Sequence, residues 1–311
     1  MTTNVLDRLP SGARVAIIRL RSLGDCVLTT PALSLLKQAR PDLQIAVVVE
    51  DCFAPLFAGN PDVDRILSPN AANLSRFRPQ LAINLHGGAT SVRLMLAAAS
   101  GLRVGFAHFR FQPMYNVRIP RAQEILAVDR TVHTAEHLAS AMFYLGVPQT
   151  EIPRARLFAA PVSNRPRPYA VLHPFASEAA KTWPRENFLA VAKHLDDDLG
   201  IEPLFVGGPS DDLSAFGPHT CFQGAPLEEL KSLIAGAALF VGNDSGPAHI
   251  AAAFGRPVVV LFGSSDIDNW RPWRTEHSAL TSALGIHSIE VSEVAGAIET
   301  LAPLPSGQTS A

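Results

Sequence analysis

The sequence predicts an α/β protein built as two successive Rossmann-like halves, each a doubly wound parallel sheet. Three observations carry this. Short apolar runs alternate with amphipathic stretches along most of the chain. The strand candidates are apolar throughout rather than alternating, which implies a sheet covered on both faces and therefore parallel. The alternation stops in a proline-dense segment and then starts again, which marks two domains, 1–160 and 161–311. At 311 residues the chain is long enough for that division.

In the first half "RVAIIRL" (14–20), "QIAVVVE" (44–50), "VDRIL" (63–67) and "QLAINLH" (80–86) read as strands. "LTTPALSLLKQA" (28–39) and "SVRLMLAAAS" (91–100) read as helices between them, and a helix over about 130–145 is closed by Gly146. The segment 147–169, "VPQTEIPRARLFAAPVSNRPRPY", has no sustained helical period and reads as an interdomain linker. In the second half the strands are 169–174, 203–208, 237–243 and 257–263. Helices fall at about 185–199, 226–236 and 246–254, and a polar tail follows Leu304. Loops at the carboxyl ends of parallel strands are the expected ligand positions, here facing a cleft between the halves.

The net charge of −2 excludes a general nucleic-acid binder. The halves differ: residues 1–150 carry 15 Lys+Arg against 10 Asp+Glu, hence +5, and residues 151–311 carry 11 against 18, hence −7. A basic first half suits an anionic partner, or reflects solvated faces. Cys26, Cys52 and Cys221 lack the spacing of a disulfide framework or zinc site. No apolar run has the length of a membrane span or the form of a signal peptide, so a cytoplasmic location is expected, with peripheral contact at the inner face of the inner membrane left open.

Three motifs fall on strand-end loops. In "RLRSLGDCVLTTPAL" (19–33), Gly24 is expected to make a tight bend and Asp25 to sit at a helix start. Asp25 is either an N-cap or a general base kept ionised by the helix dipole. In "VGNDSGPAHIAAAFGRPVVVLFG" (241–263), Asp244, Ser245 and Gly246 lie between a strand and a helix N-terminus, a setting for a diphosphate, with His249 one turn on. The bland alternative makes Asp244 or Ser245 a cap and His249 a packing residue. In "HPFASEAAKTWPRENFLAVAKHL" (173–195), Ser177 and Lys181 occupy a polar loop where a cation can neutralise a leaving diphosphate. "NLHGGATSVR" (84–93) adds His86. Residues 103–121 interleave Arg103 and three further arginines with aromatics, either to meet an anionic lipid-linked ligand or as a packed loop. The dinucleotide fingerprint is missing.

Taken together, these motifs resemble the ADP-heptose:lipopolysaccharide heptosyltransferase family, family 9 glycosyltransferases of GT-B fold. "RLRSLGDCVLTTPAL" is similar to the family's S-x-G-D turn and following helix, "KTWPRENF" to its lysine-tryptophan-proline segment, and "GNDSGPAHIAAAFGRPVVVLFG" to its D-[ST]-G-x-x-H signature. The resemblance implies an inverting transfer of heptose from ADP-heptose to a lipopolysaccharide core or related envelope glycan. Asp25 is implied as catalytic base and Lys181 as its cationic counterpart. Ser177, Asp244, Ser245, Gly246 and His249 are implied on the donor, and Gly24, His86 and Arg103 on an anionic lipid-linked or core-oligosaccharide acceptor.

No cofactor and no metal are expected; Asp266 and Asp268 of "DIDNW" follow a strand end but match no family ligand. Two departures stand out: Gly263-Ser264-Ser265 replaces the family's G-P-T, and the following stretch lacks its cysteines. The competing readings are a nucleotide-sugar 2-epimerase of the same architecture and a non-catalytic nucleotide-sugar- or glycan-binding homologue.

Overall fold

The computed structural model describes residues 4–161 and 165–302, so the tail expected after Leu304 lies outside the described residues. The chain divides into two compact units, Met1–Phe158 and Ala159–Ala311. In the first, six strands, β1 (Arg14–Ile18), β2 (Gln44–Val48), β3 (Arg65–Leu67), β4 (Leu81–Asn84), β5 (Leu102–Phe106) and β6 (Val117–Ile119), form a sheet in the order β3-β2-β1-β4-β5-β6, parallel at every pairing. Helices α1 (Leu23–Ala39), α2 (Ala71–Phe77), α3 (Ala89–Ala97), α4 (Ala122–Leu126) and α5 (Thr134–Leu145) accompany it.

Both faces of this sheet are apolar. Ala16, Ile18, Ala46, Val48 and Ala82 pack with Leu74 and Phe77 of α2 and Val92 and Met95 of α3. The alternate residues Val15, Ile17, Ile45, Val47 and Ile83 are equally buried on the other face. That two-sided burial is why the strands read as continuous apolar runs.

The second unit repeats the plan. β7 (Tyr169–His173), β8 (Glu202–Gly207), β9 (Thr220–Gln223), β10 (Leu239–Asn243), β11 (Val258–Phe262) and β12 (His277–Thr281) pair in parallel in the order β12-β11-β10-β7-β8-β9. Helices α6 (Arg185–Asp197), α7 (Leu227–Gly236), α8 (Gly246–Ala253), α9 (Ile267–Trp270) and α10 (Val291–Leu301) flank it. Its core joins Leu172, Val241, Leu261 and Phe205 to Trp183, Phe188 and Val191 near and on α6 and to Val294 and Ile298 on α10.

Counted within each unit, both sheets have the order 3-2-1-4-5-6. Strand order reverses between β1 and β4 in the first unit and between β7 and β10 in the second. Ligands of open parallel sheets bind in the crevice beyond the strand carboxyl ends at such a reversal.

Several boundaries differ from the sequence reading. Helix α1 begins at Leu23 rather than Leu28, because Ser22 takes the extended N-cap conformation. Pro31 inside α1 has no N–H to give the carbonyl one turn earlier, and the Thr30 hydroxyl donates to Val27 O at 2.8 Å instead. Helix α5 starts at Thr134, four residues later than expected. There His133 accepts from the Ala135 N–H and Glu136 reaches back to the His133 N–H.

The proline-dense segment is only partly a linker. Its first part packs on the first unit, with Ile152, Ala155 and Leu157 buried and the Arg156 N–H donating to Thr30 Oγ1 at 3.0 Å.

Candidate active-site crevices

In the first unit the loops after β1 and β4 flank the reversal point. Asp25 is the third residue of α1, one turn past the N-cap Ser22. It is therefore not the N-cap. Its carboxylate accepts from the Ser22 hydroxyl at 3.0 Å and is ion-paired with the Arg19 guanidinium. Arg19 is buried at the mouth of β1 and also donates to the Leu85 carbonyl after β4, so one side chain ties both crevice loops together.

His86, on the β4 loop, is half-buried beside Arg19, Arg21 and Asp25. Burial, then the two arginines, holds its pKa below the usual range, so the ring is neutral at neutral pH. Its loop is set by Asn84, whose Oδ1 accepts from the His86 and Gly87 amides at 3.0 Å each. Asn84 Nδ2 in turn donates to the Tyr115 hydroxyl at 3.0 Å. The Tyr115 ring lies over Gly105, where an added Cβ would approach it to 2.5 Å.

Gly24 does not make the expected bend: it is buried in the first turn of α1 and is not among the residues with positive φ. Cys26 is fully buried and its thiol is pushed up to about 12, chiefly by burial, which excludes it as a nucleophile at neutral pH.

Arg103 is not brought to Asp25. It stands near the amino end of β5, level with Ala82, while Asn84 at the crevice is level with Gly105. Its guanidinium donates to the Met114 and Ser100 carbonyls, so it serves the local fold. Residues 103–121 are accordingly β5, β6 and a packed connection between them.

In the second unit Lys181 ends a short turn after β7, and Asp244, Ser245 and Gly246 connect β10 to α8. Asn243 Oδ1 accepts from the Trp183 N–H at 3.1 Å, which locks the Lys181 loop to the end of β10. Trp183 is fully buried, with its indole N–H on the Ile289 carbonyl at 2.9 Å. Gly263 lets the same loop close down, since a Cβ there would overlap the Ala180 carbonyl.

Asp244 is brought together with Lys181 and Ser265. Burial raises its pKa, opposed by a hydrogen bond from Ser265 and the Lys181 charge. Ser245 holds the N-cap position of α8 but makes no side-chain cap bond; its hydroxyl is paired at 3.0 Å with His173 Nδ1. The Ser245 side chain thus does not cap the first amides of α8. Ser177 is exposed on the Lys181 loop, and His249 is buried in α8 with its ring 6.1 Å from Trp270. Asp266 accepts from the Asp268 amide as the cap of α9, and Asp268 pairs with Arg271.

Sequence reasoning missed Arg19, His173 and Ser265. Arg19 had a signal, a charge closing a continuous apolar strand. Ser265 lies in the tripeptide that replaces the family's G-P-T. His173 had none, because its partner is 72 positions away.

One half-buried and one buried histidine, His137 and His173, give a pH prediction. His137, stacked on Phe106 at 4.1 Å, and His173 are both pushed down to about 4, chiefly by burial, from an ordinary 6.5. The native protein resists protonation while the unfolded chain accepts it, so stability falls as pH drops from 6.5 towards about 4. Thermal melts across that window are expected to show a falling Tm, with a shallower slope in His137→Asn and His173→Asn. A Tm independent of pH would contradict both rings being held neutral by the fold.

Comparison with known proteins agrees with this architecture. Residues 73–294 match glycosyltransferase family 9 (heptosyltransferase). Lipopolysaccharide heptosyltransferase 3 of Escherichia coli K12 is 28% identical over 288 residues, covering 82% of this chain and 83% of its own. Lipopolysaccharide heptosyltransferase 1 of Salmonella typhimurium is 26% identical over 283 residues, covering 81% and 89%. A glycosyltransferase family 9 structure from Veillonella parvula superposes with a TM-score of 0.82 at 22% identity over 94% of this chain and 97% of its own. The E. coli heptosyltransferase WaaC with ADP-2-deoxy-2-fluoro heptose superposes at 0.74 and 22% identity, over 92% and 99%. The fold is therefore GT-B, and with 222 of its 311 residues matched, the chain belongs to glycosyltransferase family 9 and is a glycosyltransferase.

Proposed function

We propose that the enzyme transfers heptose from ADP-heptose to a lipopolysaccharide core or related envelope acceptor, with inversion at the anomeric carbon. The observation that carries this reading is the division of chemistry between the two crevices. One holds an acid paired with a buried arginine beside a neutral histidine; the other holds a lysine beside Asp244 and a helix start that the Ser245 side chain does not cap. The first, in residues 1–160, takes the acceptor, and the second, in residues 161–311, takes the donor. The names of the relatives, lipopolysaccharide heptosyltransferases 1 and 3, and the ADP-heptose analogue in the WaaC structure support the choice of sugar and nucleotide.

Asp25 takes the proton of the acceptor hydroxyl as its oxygen attacks the anomeric carbon. The bond from that carbon to the diphosphate oxygen breaks, and ADP leaves with the electron pair. Lys181, the Gly246 amide and the Ser245 and Ser177 hydroxyls meet the charge that develops there. Asp244 accepts from hydroxyls of the donor sugar, and His249 supports the donor loop from beneath. His86 lies on the acceptor side. The enzyme works at the cytoplasmic face of the inner membrane by peripheral contact with its lipid-linked acceptor, and no nucleic acid takes part.

The direct test mixes the enzyme with ADP-heptose and heptose-deficient lipopolysaccharide, then follows the glycolipid by mass spectrometry. The expected product gains one heptose as ADP is released. Preference for another nucleotide sugar would overturn the donor, and ADP-heptose conversion without any acceptor would overturn the transferase reading.

A further inference from the structure

A second polar site lies at the opposite end of the first sheet. Strand periodicity puts Arg14, Ala16 and Ile18 of β1 on one face, with Gln44, Ala46 and Val48 of β2 and Arg65 and Leu67 of β3. The interior of that face is the apolar core beneath α2, but its amino rim is polar. Arg14 and Gln44 are direct register partners, and Arg65 stands level with Ala46. Arg76 of α2 closes the set around a pocket of about 410 Å³ with Leu67 and Phe77 among its walls. Five residues of extended chain separate Arg14 from Arg19, about 16 Å, so this pocket is remote from the crevice.

Three arginines line this pocket, and among the described residues no acidic one does. Like charges gathered without a counter-ion repel one another, so the arrangement is costly unless an anion enters. Arg14 is also held in place. Its Nε donates to the Arg78 carbonyl at 3.1 Å and its backbone N–H to Gln80 Oε1 at 2.8 Å, which leaves its terminal amino groups for the pocket. Arg78 ends α2 with a left-handed φ of 49°, a conformation that non-glycine residues seldom adopt. That conformation turns the chain so that its carbonyl meets Arg14.

We propose that the Arg14–Arg65–Arg76 pocket is a phosphomonoester-binding site separate from the transfer site. Three forked donors suit a group with three terminal oxygens, whereas a carboxylate would satisfy one guanidinium and leave two unmatched. The ligand is a phosphate group, carried either by a soluble compound or by a lipid headgroup at the membrane surface.

Arginine modification by phenylglyoxal, mapped by peptide mass spectrometry on the full chain, reads each position separately. Phosphate bound elsewhere therefore does not confuse the result. Inorganic phosphate is expected to slow modification of Arg65 and Arg76 relative to chloride at equal ionic strength, and to leave the exposed Arg93 unchanged. In Arg65→Gln, the phosphate affinity that protects Arg76 is expected to fall by about tenfold or more. The substituted Arg65 side chain is exposed, so the fold is retained; a circular dichroism melt checks this.

Vesicles of phosphatidylcholine with and without phosphatidic acid separate the two sources. Protection by phosphatidic acid vesicles identifies a headgroup site, and protection by inorganic phosphate alone identifies a soluble ligand. Protection by neither, or equal protection of Arg93, overturns the proposal.

Discussion

Asp25→Asn is expected to slow sugar transfer by about 10²–10⁴-fold while leaving ADP affinity at the wild-type level. Asparagine keeps the shape of the side chain and an oxygen for the Ser22 hydroxyl, but it cannot accept the proton of an incoming alcohol. ADP affinity is the informative control, because the proposed donor contacts come from a different unit of the chain. A structural loss would have a second signature. Arg19 is buried and loses its charged partner, so the variant is expected to unfold about 1–3 kcal/mol more easily. Adding Arg19→Gln relieves the stranded cation and is expected to restore part of the stability but none of the activity. A fully active Asp25→Asn enzyme would remove Asp25 as the base.

Lys181→Ala is expected to lower kcat/KM by about 10²–10³-fold, the scale of losing one positioned donor to a developing anion. Its effect has an internal check in Asp244. Lys181 opposes the upward pKa shift that burial imposes on that carboxyl, so removing the lysine raises the shift further. Donor binding that needs ionised Asp244 is then expected to move to higher pH, as well as weaken. Unchanged kinetics would exclude Lys181 from the site, and a rate loss without the pH displacement would place it away from Asp244.

Much of the fold was legible because two-sided burial leaves a direct mark on sequence: β1, β2, β4, β10 and β11 are runs of apolar residues, and the restart at Tyr169 separates the units. Lys181, Asp244 and Ser245 could be placed on strand-end loops, and Asp25 at the helix start that follows one, because such positions are defined by chain order alone. Lateral order was not legible. Nothing local says that β1 sits beside β4, and so nothing local says that Arg19 reaches the Leu85 carbonyl or that Asp25 stands beside His86. Arg103 failed for the complementary reason. It lies in the right segment but near the wrong end of its strand, and depth along a strand depends on register. Gly24 failed because glycine suggests a bend, whereas Ser22, with Asp25 three residues later, carries the stronger signature of a helix start.

The shared strand order bears on how each unit acquires its activity. The pairs that create the reversal points join residues far apart in sequence: Val15 with Leu81, 66 positions on, and Ala170 with Leu239, 69 positions on. The pairs β1–β2 and β7–β8 close much shorter loops, 30 positions for Val15 with Ile45 and 33 for Tyr169 with Glu202. Loop closure costs more entropy for the longer segments, by about 0.6 kcal/mol per doubling of length. Neither crevice exists before its central pairing closes. A partly folded chain can therefore hold native strands and helices without Asp25 beside His86 or Lys181 beside Asp244. Each juxtaposition is therefore a property of the completed unit and not of its separate elements.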